Sequence, residues 1–371
     1  KNNLTSLIVK EGLDFFEINI LQKVENNKVN IIFEIKQIEP LYVQQINIFG
    51  NSRTYDEVIR RELNLYEGDS VHSSQIEQIR NKLRSLNLFE SVNVIEKQVG
   101  DNLLDLEITV EEKQTGTINA GLSVGTLDGF AVVAGISERN FYGTGRSLDF
   151  NISTSEDKTD FLLETTDRLN YENDVDIIYK INLREEDFTS SSSYKLNTFS
   201  SGVGISYNII PKLRHKVSLD YVLKDYSITN SSKVSNVINK SSGENVSFLL
   251  SNNLYYSTVK SFYLPKNGTI VRFDNFVETP TSSYNGYLKN ILTVKNYKKI
   301  NKNIFSNQTR IGNIISLNNT DILTDDKFSL GGNWLRGFDA FGAGPRDSRT
   351  SYIGGNNLIA TKFDYSRQIF G

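Results

Sequence analysis

The spacing of apolar residues changes character near residue 114. Before it, helical and strand periods alternate. A strand is predicted over 43–49, closed by Gly50-Asn51, a pair suited to a turn with positive φ. Thr54 and Glu57 have capping-box spacing, and Val58, Ile59 and Leu63 give a short helix its apolar face. After a turn at Gly68-Asp69 the capping-box spacing recurs at Ser74 and Glu77. Ile76, Ile79, Leu83 and Leu86 then follow on a longer helix. Strands over 91–96 and 103–110 close the unit, the second with Leu104, Leu106, Ile108 and Val110 alternating with polar partners. The order β-α-α-β-β in about 70 residues suffices for one small α+β core. Residues 1–39 read as the end of an earlier copy, with a helical start and strands over 15–24 and 29–38.

From Thr115 the helical period is gone. Ile118, Ala120, Leu122 and Val124 alternate with polar or glycine positions, as do Leu148, Phe150 and Ile152. Val217, Leu219, Tyr221 and Leu223 share one face, and so do Val246, Phe248 and Leu250. About a dozen such segments follow, most near the roughly ten residues that cross a bilayer as tilted strands. Phe141-Tyr142, Tyr171, Phe188, Tyr207, Tyr255-Tyr256 and Phe262-Tyr263 fall near segment ends, where the aromatic girdles of a membrane barrel belong. A soluble β-sandwich would share the alternation. It would not explain the strand length or the scarcity of proline-rich turns.

Composition narrows the chemistry. The chain of 371 residues has no Cys and two His, so disulfides, thiolate sites and multi-histidine metal sites are excluded. A net charge of -3 gives no basic field for nucleic acid. No apolar run reaches the ~18 residues of a membrane helix, which does not weigh against a strand-built span. His72 and His215 stand at the starts of elements without a Ser or Asp arrangement for nucleophilic catalysis, so no enzyme and no cofactor is expected. Tyr142-Gly143-Thr144-Gly145 leads into a strand and reads as a hairpin turn rather than a phosphate cradle. Met is absent even at position 1, as in an internal piece of a longer protein.

The most informative stretch is the glycine-rich run 328–347, FSLGGNWLRGFDAFGAGPRD. A surface hairpin would leave Trp334, Leu335, Phe338 and Phe341 in water, at a cost. The other reading folds the loop inward, with Arg336 held by a carboxylate.

These segments resemble the BamA family of outer-membrane assembly factors, within the superfamily of the mitochondrial and chloroplast barrel-insertion proteins. Ile59-Arg60-Arg61-Glu62-Leu63, Tyr66-Glu67-Gly68 and Leu86-Asn87-Leu88-Phe89-Glu90-Ser91-Val92 resemble the last periplasmic POTRA domain. Val110-Glu111-Glu112-Lys113 is similar to the lead into the first barrel strand. Leu335-Arg336-Gly337-Phe338 matches the signature of the long sixth extracellular loop, with Leu335 where the family often has Val. Gly342-Ala343-Gly344-Pro345-Arg346-Asp347 resembles the alphaproteobacterial form.

The resemblance implies three parts: 1–39, the C-terminal part of a preceding POTRA domain; 40–113, a POTRA domain; and 114–371, a transmembrane antiparallel β-barrel of about 12 of an expected 16 strands, incomplete through truncation. It implies periplasmic POTRA domains, unfolded outer-membrane proteins as clients, accessory lipoproteins and outer-membrane lipid as partners, and insertion without ATP. The strand over 91–96 would accept client strands, and Glu67 with Arg60 and Arg61 would contact the lipoprotein. Arg336 would pin the loop to Asp364 on the twelfth strand, and 115–125 would form an openable seam. Its Gly116, Gly121 and Gly125 suit weak interstrand packing, or equally close packing in a narrow barrel. A dedicated secretion pore or an autotransporter-assembly factor shares these features and is the alternative.

Overall fold

A computed structural model describes residues 16–25, 28–37, 39–125, 129–169, 175–189, 193–240, 242–261, 265–281, 286–319, 321–332, 334–338, 342–346 and 352–367. The helical start expected before residue 15, and Tyr171, Phe262, Tyr263, Phe341 and Asp347 of the sequence reading, lie outside them. Two compact units result, Lys1–Thr115 with Tyr142–Gly145, and Gly116–Phe141 with Arg146–Gly371.

In the first unit, β1 (Phe16–Glu25) and β2 (Lys28–Gln37) form an antiparallel hairpin. The chain continues through β3 (Leu41–Phe49), α1 (Asp56–Leu63), β4 (Ser70–Val71), α2 (Ser73–Ser85), β5 (Phe89–Gln98) and β6 (Leu103–Glu112). The sheet order is β4-β3-β6-β5, with β3 and β6 parallel. Ile59 and Leu63 of α1 and Ile76, Ile79 and Leu83 of α2 pack on Val43, Ile46, Leu104, Leu106 and Ile108. The helical stripe and the alternating strand thus meet in one core, each fully buried Leu or Ile contributing about 1.5–3 kcal/mol.

Three local expectations are corrected. The two-residue β4 follows the turn at Gly68-Asp69, too short to carry a pattern of its own. Tyr55, not Thr54, caps α1, with no side-chain bond. The preceding turn is held by Glu112 at the end of β6. Its carboxylate accepts from Ser52 Oγ (2.9 Å), Arg53 N–H (3.0 Å) and Thr54 N–H (2.6 Å). Burial alone would raise the Glu112 carboxyl; the bonds from Thr54, Ser52 and Arg53 outweigh it and hold the group below its ordinary value. In α2 the capping box is His72 with Gln75, two residues ahead of the expected one, and Gln75 Oε1 accepts His72 N–H at 2.8 Å. Gln at the third helical position serves as well as Glu, so adjacent polar residues made the spacing ambiguous.

The second unit is one 12-stranded antiparallel sheet in which each strand pairs with the next. Its strands are β7 (Gly116–Gly125), β8 (Gly129–Glu138), β9 (Ser147–Thr154), β10 (Lys158–Arg168), β11 (Asp176–Asp187) and β12 (Tyr194–Ile210). They continue as β13 (Leu213–Ile228), β14 (Gly243–Ser257), β15 (Gly268–Glu278), β16 (Tyr287–Ile300), β17 (Asn303–Ser316) and β18 (Asn357–Arg367). A short helix α3 (Asn236–Lys240) lies between β13 and β14. Residues 141–143 form a 3-10 turn between β8 and β9, as the hairpin reading required.

The two faces of this sheet are inverted relative to a water-soluble protein. Asp220, Lys224, Ser247, Asp274 and Glu278 are buried on one face, called inner here, while Leu219 (50% exposed), Phe248 (49%) and Ile311 (46%) point outward. Apolar side chains outward and charges inward suit a lipid boundary. The two layers of a β-sandwich are absent from the described residues. On the outer face Asn252, Asn275, Asn290, Asn313 and Asn357 lie in register across β14–β18. Side-chain amides bridge Asn252 to Asn275 (3.3 Å), Asn275 to Asn290 (2.7 Å) and Asn313 to Asn357 (2.7 Å).

Candidate functional site

The inner face is occupied by the first part of the connection between β17 and β18. Alternation places Tyr226, Ile291, Ile314 and Leu358 inward, and against them Ile322, Leu323 and Phe328 of the connection are buried, together with Val234 and Ile238 of the β13–β14 connection. Gly312 makes the room: a Cβ there would sit 2.5 Å from Phe328 Cζ. Phe328 and Gly355 exchange two backbone hydrogen bonds, at 2.9 and 2.8 Å, and so close the base of the loop.

Charge fixes the same stretch. Lys224 Nζ donates to Asp325 Oδ2 (3.1 Å) and Asp326 Oδ1 (2.8 Å), and Tyr226 Oη donates to Asp325 Oδ1 at 2.7 Å. Lys289 Nζ adds a bond to the Asp326 carbonyl at 2.6 Å. The Lys224, Asp325 and Asp326 side chains are 10%, 14% and 8% exposed. Two carboxylates share one ammonium away from water, so burial, then neighbouring Asp325, push the Asp326 carboxyl up to about 7 against the pull of Lys224. Beside the latch lies a cavity of about 380 Å³, lined by Lys180, Arg184, Asp220, Glu278, Asp325 and Tyr352 among others.

The motif expected to pin the loop stands elsewhere. Arg336, Gly337 and Phe338 are exposed, Leu335 is half-buried, and Gly337 takes φ 88, a conformation that favours glycine. Trp334 turns inward, with Lys362 Nζ 4.8 Å and Arg310 Cζ 5.8 Å from its ring centre. Arg336 and Asp364 are both exposed, and among the described residues no ion pair joins them. In this structure the loop is held by a different pair, with the carboxylates on the loop and the cation on the strand. A guanidinium in water needs no carboxylate, whereas the buried ammonium of Lys224 does. Alternation along β13 makes Lys224 inward-facing, a signal present in the sequence.

The other expected positions separate. Arg60 Nη2 donates to Ile46 O (2.9 Å), and Glu67 Oε1 accepts Ile46 N–H (3.0 Å) and lies 4.0 Å from Arg60 Nη1. Together they satisfy β3 where β4 no longer covers it. Arg61 turns to buried Glu62, 3.7 Å away, which Lys82 also approaches. Among the described residues β5 pairs only with β6, which leaves its other edge open. Among the described residues β7 pairs only with β8. A Cβ on Gly121 would meet nothing within 4 Å among the described residues, and one on Gly116 would come within 3.0 Å of Glu138 Oε2. Gly125 ends the strand.

Comparison with known proteins agrees with this arrangement. The model of the Omp85 superfamily domain matches residues 140–371, and the POTRA model, a surface antigen variable number repeat, matches residues 41–113. The outer membrane protein assembly factor BamA of Neorickettsia risticii is 25% identical over 368 residues, covering 97% of this chain and 49% of that protein. The sorting and assembly machinery component 50 homolog of Bos taurus is 25% identical, covering 87% of this chain and 70% of its own. The crystal structure of BamA from Haemophilus ducreyi lacking POTRA domains 1–3 is similar at a TM-score of 0.80 and 21% identity, covering 98% of this chain and 76% of that one. CdiB from Acinetobacter baumannii gives 0.56 at 16% identity, covering 99% and 67%. The chain spans about half the length of the curated BamA relatives that match it almost throughout. With a POTRA unit followed by an antiparallel sheet of the BamA barrel fold, the chain belongs to the Omp85 superfamily.

Proposed function

We propose that this chain carries the barrel and the adjoining periplasmic unit of an outer-membrane protein assembly factor. The observation that carries this reading is a sheet apolar outside and charged inside, joined to a POTRA unit whose β5 has an edge unpaired among the described residues. An unfolded client pairs its backbone with β5 and then with β7, so its polar groups stay satisfied on entering lipid. The free energy comes from client folding, and no nucleotide site is needed. Gly116, Gly121 and Gly125 along β7 suit a seam that parts, since glycine brings no side chain to pack between strands. Glu67 and Arg60 remain the proposed lipoprotein contact, with Arg61 behind them, and residues 1–39 the end of a preceding POTRA domain. Arg336 and Asp364 pair in a second loop state, reached when 331–338 moves across β18 while 321–330 stays docked.

The test uses the complete protein in proteoliposomes with its lipoproteins and an unfolded porin, scored by heat-modifiable migration over time. Faster folding than in empty liposomes, reduced by Arg336→Ala, supports the proposal. No acceleration together with ion conductance moves the assignment to a dedicated secretion pore.

A further inference from the structure

Alternate connections of an antiparallel sheet lie at the same end. At the end where β7 begins, three neighbouring connections follow β12, β14 and β16. No Asp or Glu occurs in 208–217, 255–273 or 294–307, the segments that build them. They carry Lys212, Lys260, Lys266, Lys298, Lys299 and Lys302, all exposed, and among the described residues none of the six is in an ion pair. Other connections at the same end mix both signs, as with Arg146 against Asp167 and Arg168 against Asp176, so the acid-free stretch is confined to these three.

These lysines are held near one another. Ser257 N–H donates to Lys212 O (3.1 Å), and Lys299 N–H donates to Asn267 Oδ1 (3.0 Å), tying each connection to its neighbour. Strands two apart are separated by about 10 Å, the reach of charge repulsion at ordinary salt. Six like charges at that spacing are an unfavourable arrangement unless an anion answers them. The answer sits at the lipid boundary. Lys298 lies outward beside its register partner Phe305, and Phe305 and Tyr365 pack at 5.4 Å. Tyr207 and His215 form a second outward pair one strand-turn above Lys212, bonded at 2.9 Å. Aromatic rings beside cations mark the level where acyl chains give way to headgroups.

We propose that this lysine rim is a binding surface for the phosphate-bearing headgroups of anionic phospholipids in the leaflet at that end of the barrel. The inference rests on the membrane-spanning reading of the sheet, and the rim holds the barrel at its depth while the β7 side moves.

The test reconstitutes the full-length protein in phosphatidylcholine vesicles with trace spin-labelled phosphatidylglycerol or spin-labelled phosphatidylcholine, and compares the motionally restricted fractions. A preference for phosphatidylglycerol is expected, about fivefold for each lysine that engages. It should fall with added salt and drop at least fivefold in Lys298→Gln/Lys299→Gln/Lys302→Gln. Equal association of both lipids with a heat-modifiable barrel overturns the inference alone. So does a preference that survives both that variant and Lys212→Gln/Lys260→Gln/Lys266→Gln. Failure of the unaltered protein to give a heat-modifiable form overturns the membrane-spanning reading, and this inference with it.

Discussion

Replacing Lys224 by Met leaves Asp325 and Asp326 facing each other with no cation between them. The methionine fills nearly the same volume, so the change is electrostatic rather than steric. Breaking a buried ion pair by removing one partner costs about 3–5 kcal/mol. The lower figure applies, because Asp326 already holds its proton up to about 7 and can shed part of the repulsion by taking it up. A cost of about 3 kcal/mol at pH 8 raises the undocked population of 321–330 roughly 150-fold. Trypsin reads this directly. Lys327 lies in the docked stretch between buried Asp326 and Phe328, whereas Arg336 is exposed, so each digest contains its own reference cut. In the unaltered protein, cleavage after Arg336 should precede cleavage after Lys327. In Lys224→Met the Lys327 rate should rise by about two orders of magnitude relative to Arg336, since cleavage tracks the open population. Lys224→Met/Asp326→Asn should recover most of the protection, the surplus charge having gone. A Lys327-to-Arg336 ratio within about threefold of the unaltered protein would refute the latch.

Three further outcomes follow from the same geometry. Gly312→Val drives a side chain into the Phe328 ring, so overpacking of about 1–3 kcal/mol should expose Lys327 to trypsin while leaving Lys224 in place. Because the Asp326 carboxyl is raised when docked, docking takes up a proton, and lowering the pH from 8 to 6 should slow Lys327 cleavage relative to Arg336. For Glu112 the sign is opposite. Its carboxyl is depressed in the folded unit, so its stabilisation is present above about 4.5 and lost as pH falls through the folded value. Glu112→Gln should accordingly cost the POTRA unit about 1.5–3 kcal/mol in denaturant unfolding at neutral pH and flatten the acid limb.

Sequence and structure parted where long-range partners decide. Helical spacing at Ile76, Ile79 and Leu83 and alternation at Leu104, Leu106 and Ile108 gave their elements, because each buried residue answers to a local period. Alternation over Leu219, Tyr221 and Leu223 likewise marked the outward face. Caps slipped by one or two residues, since Ser, Gln and Glu in a row satisfy the same spacing in several registers. The anchor at Lys224 escaped the sequence reading for a different reason. The local motif contains Arg336, while the buried charge that needs a partner is Lys224, and its partners lie about a hundred positions away in the chain. No local pattern joins those two segments. The asparagine row escaped similarly, because its five members come from five strands.

That row has a mechanical consequence. Outward apolar pairs such as Ile118 with Ile136 on β7 and β8 lose little when strands part, since acyl chains replace the lost contact in kind. Carboxamides joined across β14–β16 and across β17–β18 have no such substitute, and parting them strands donors in hydrocarbon. Resistance to tearing therefore differs along the sheet: the laced strands β14–β16 and β17–β18 part less readily than β7 and β8, whose outward contacts lipid can replace.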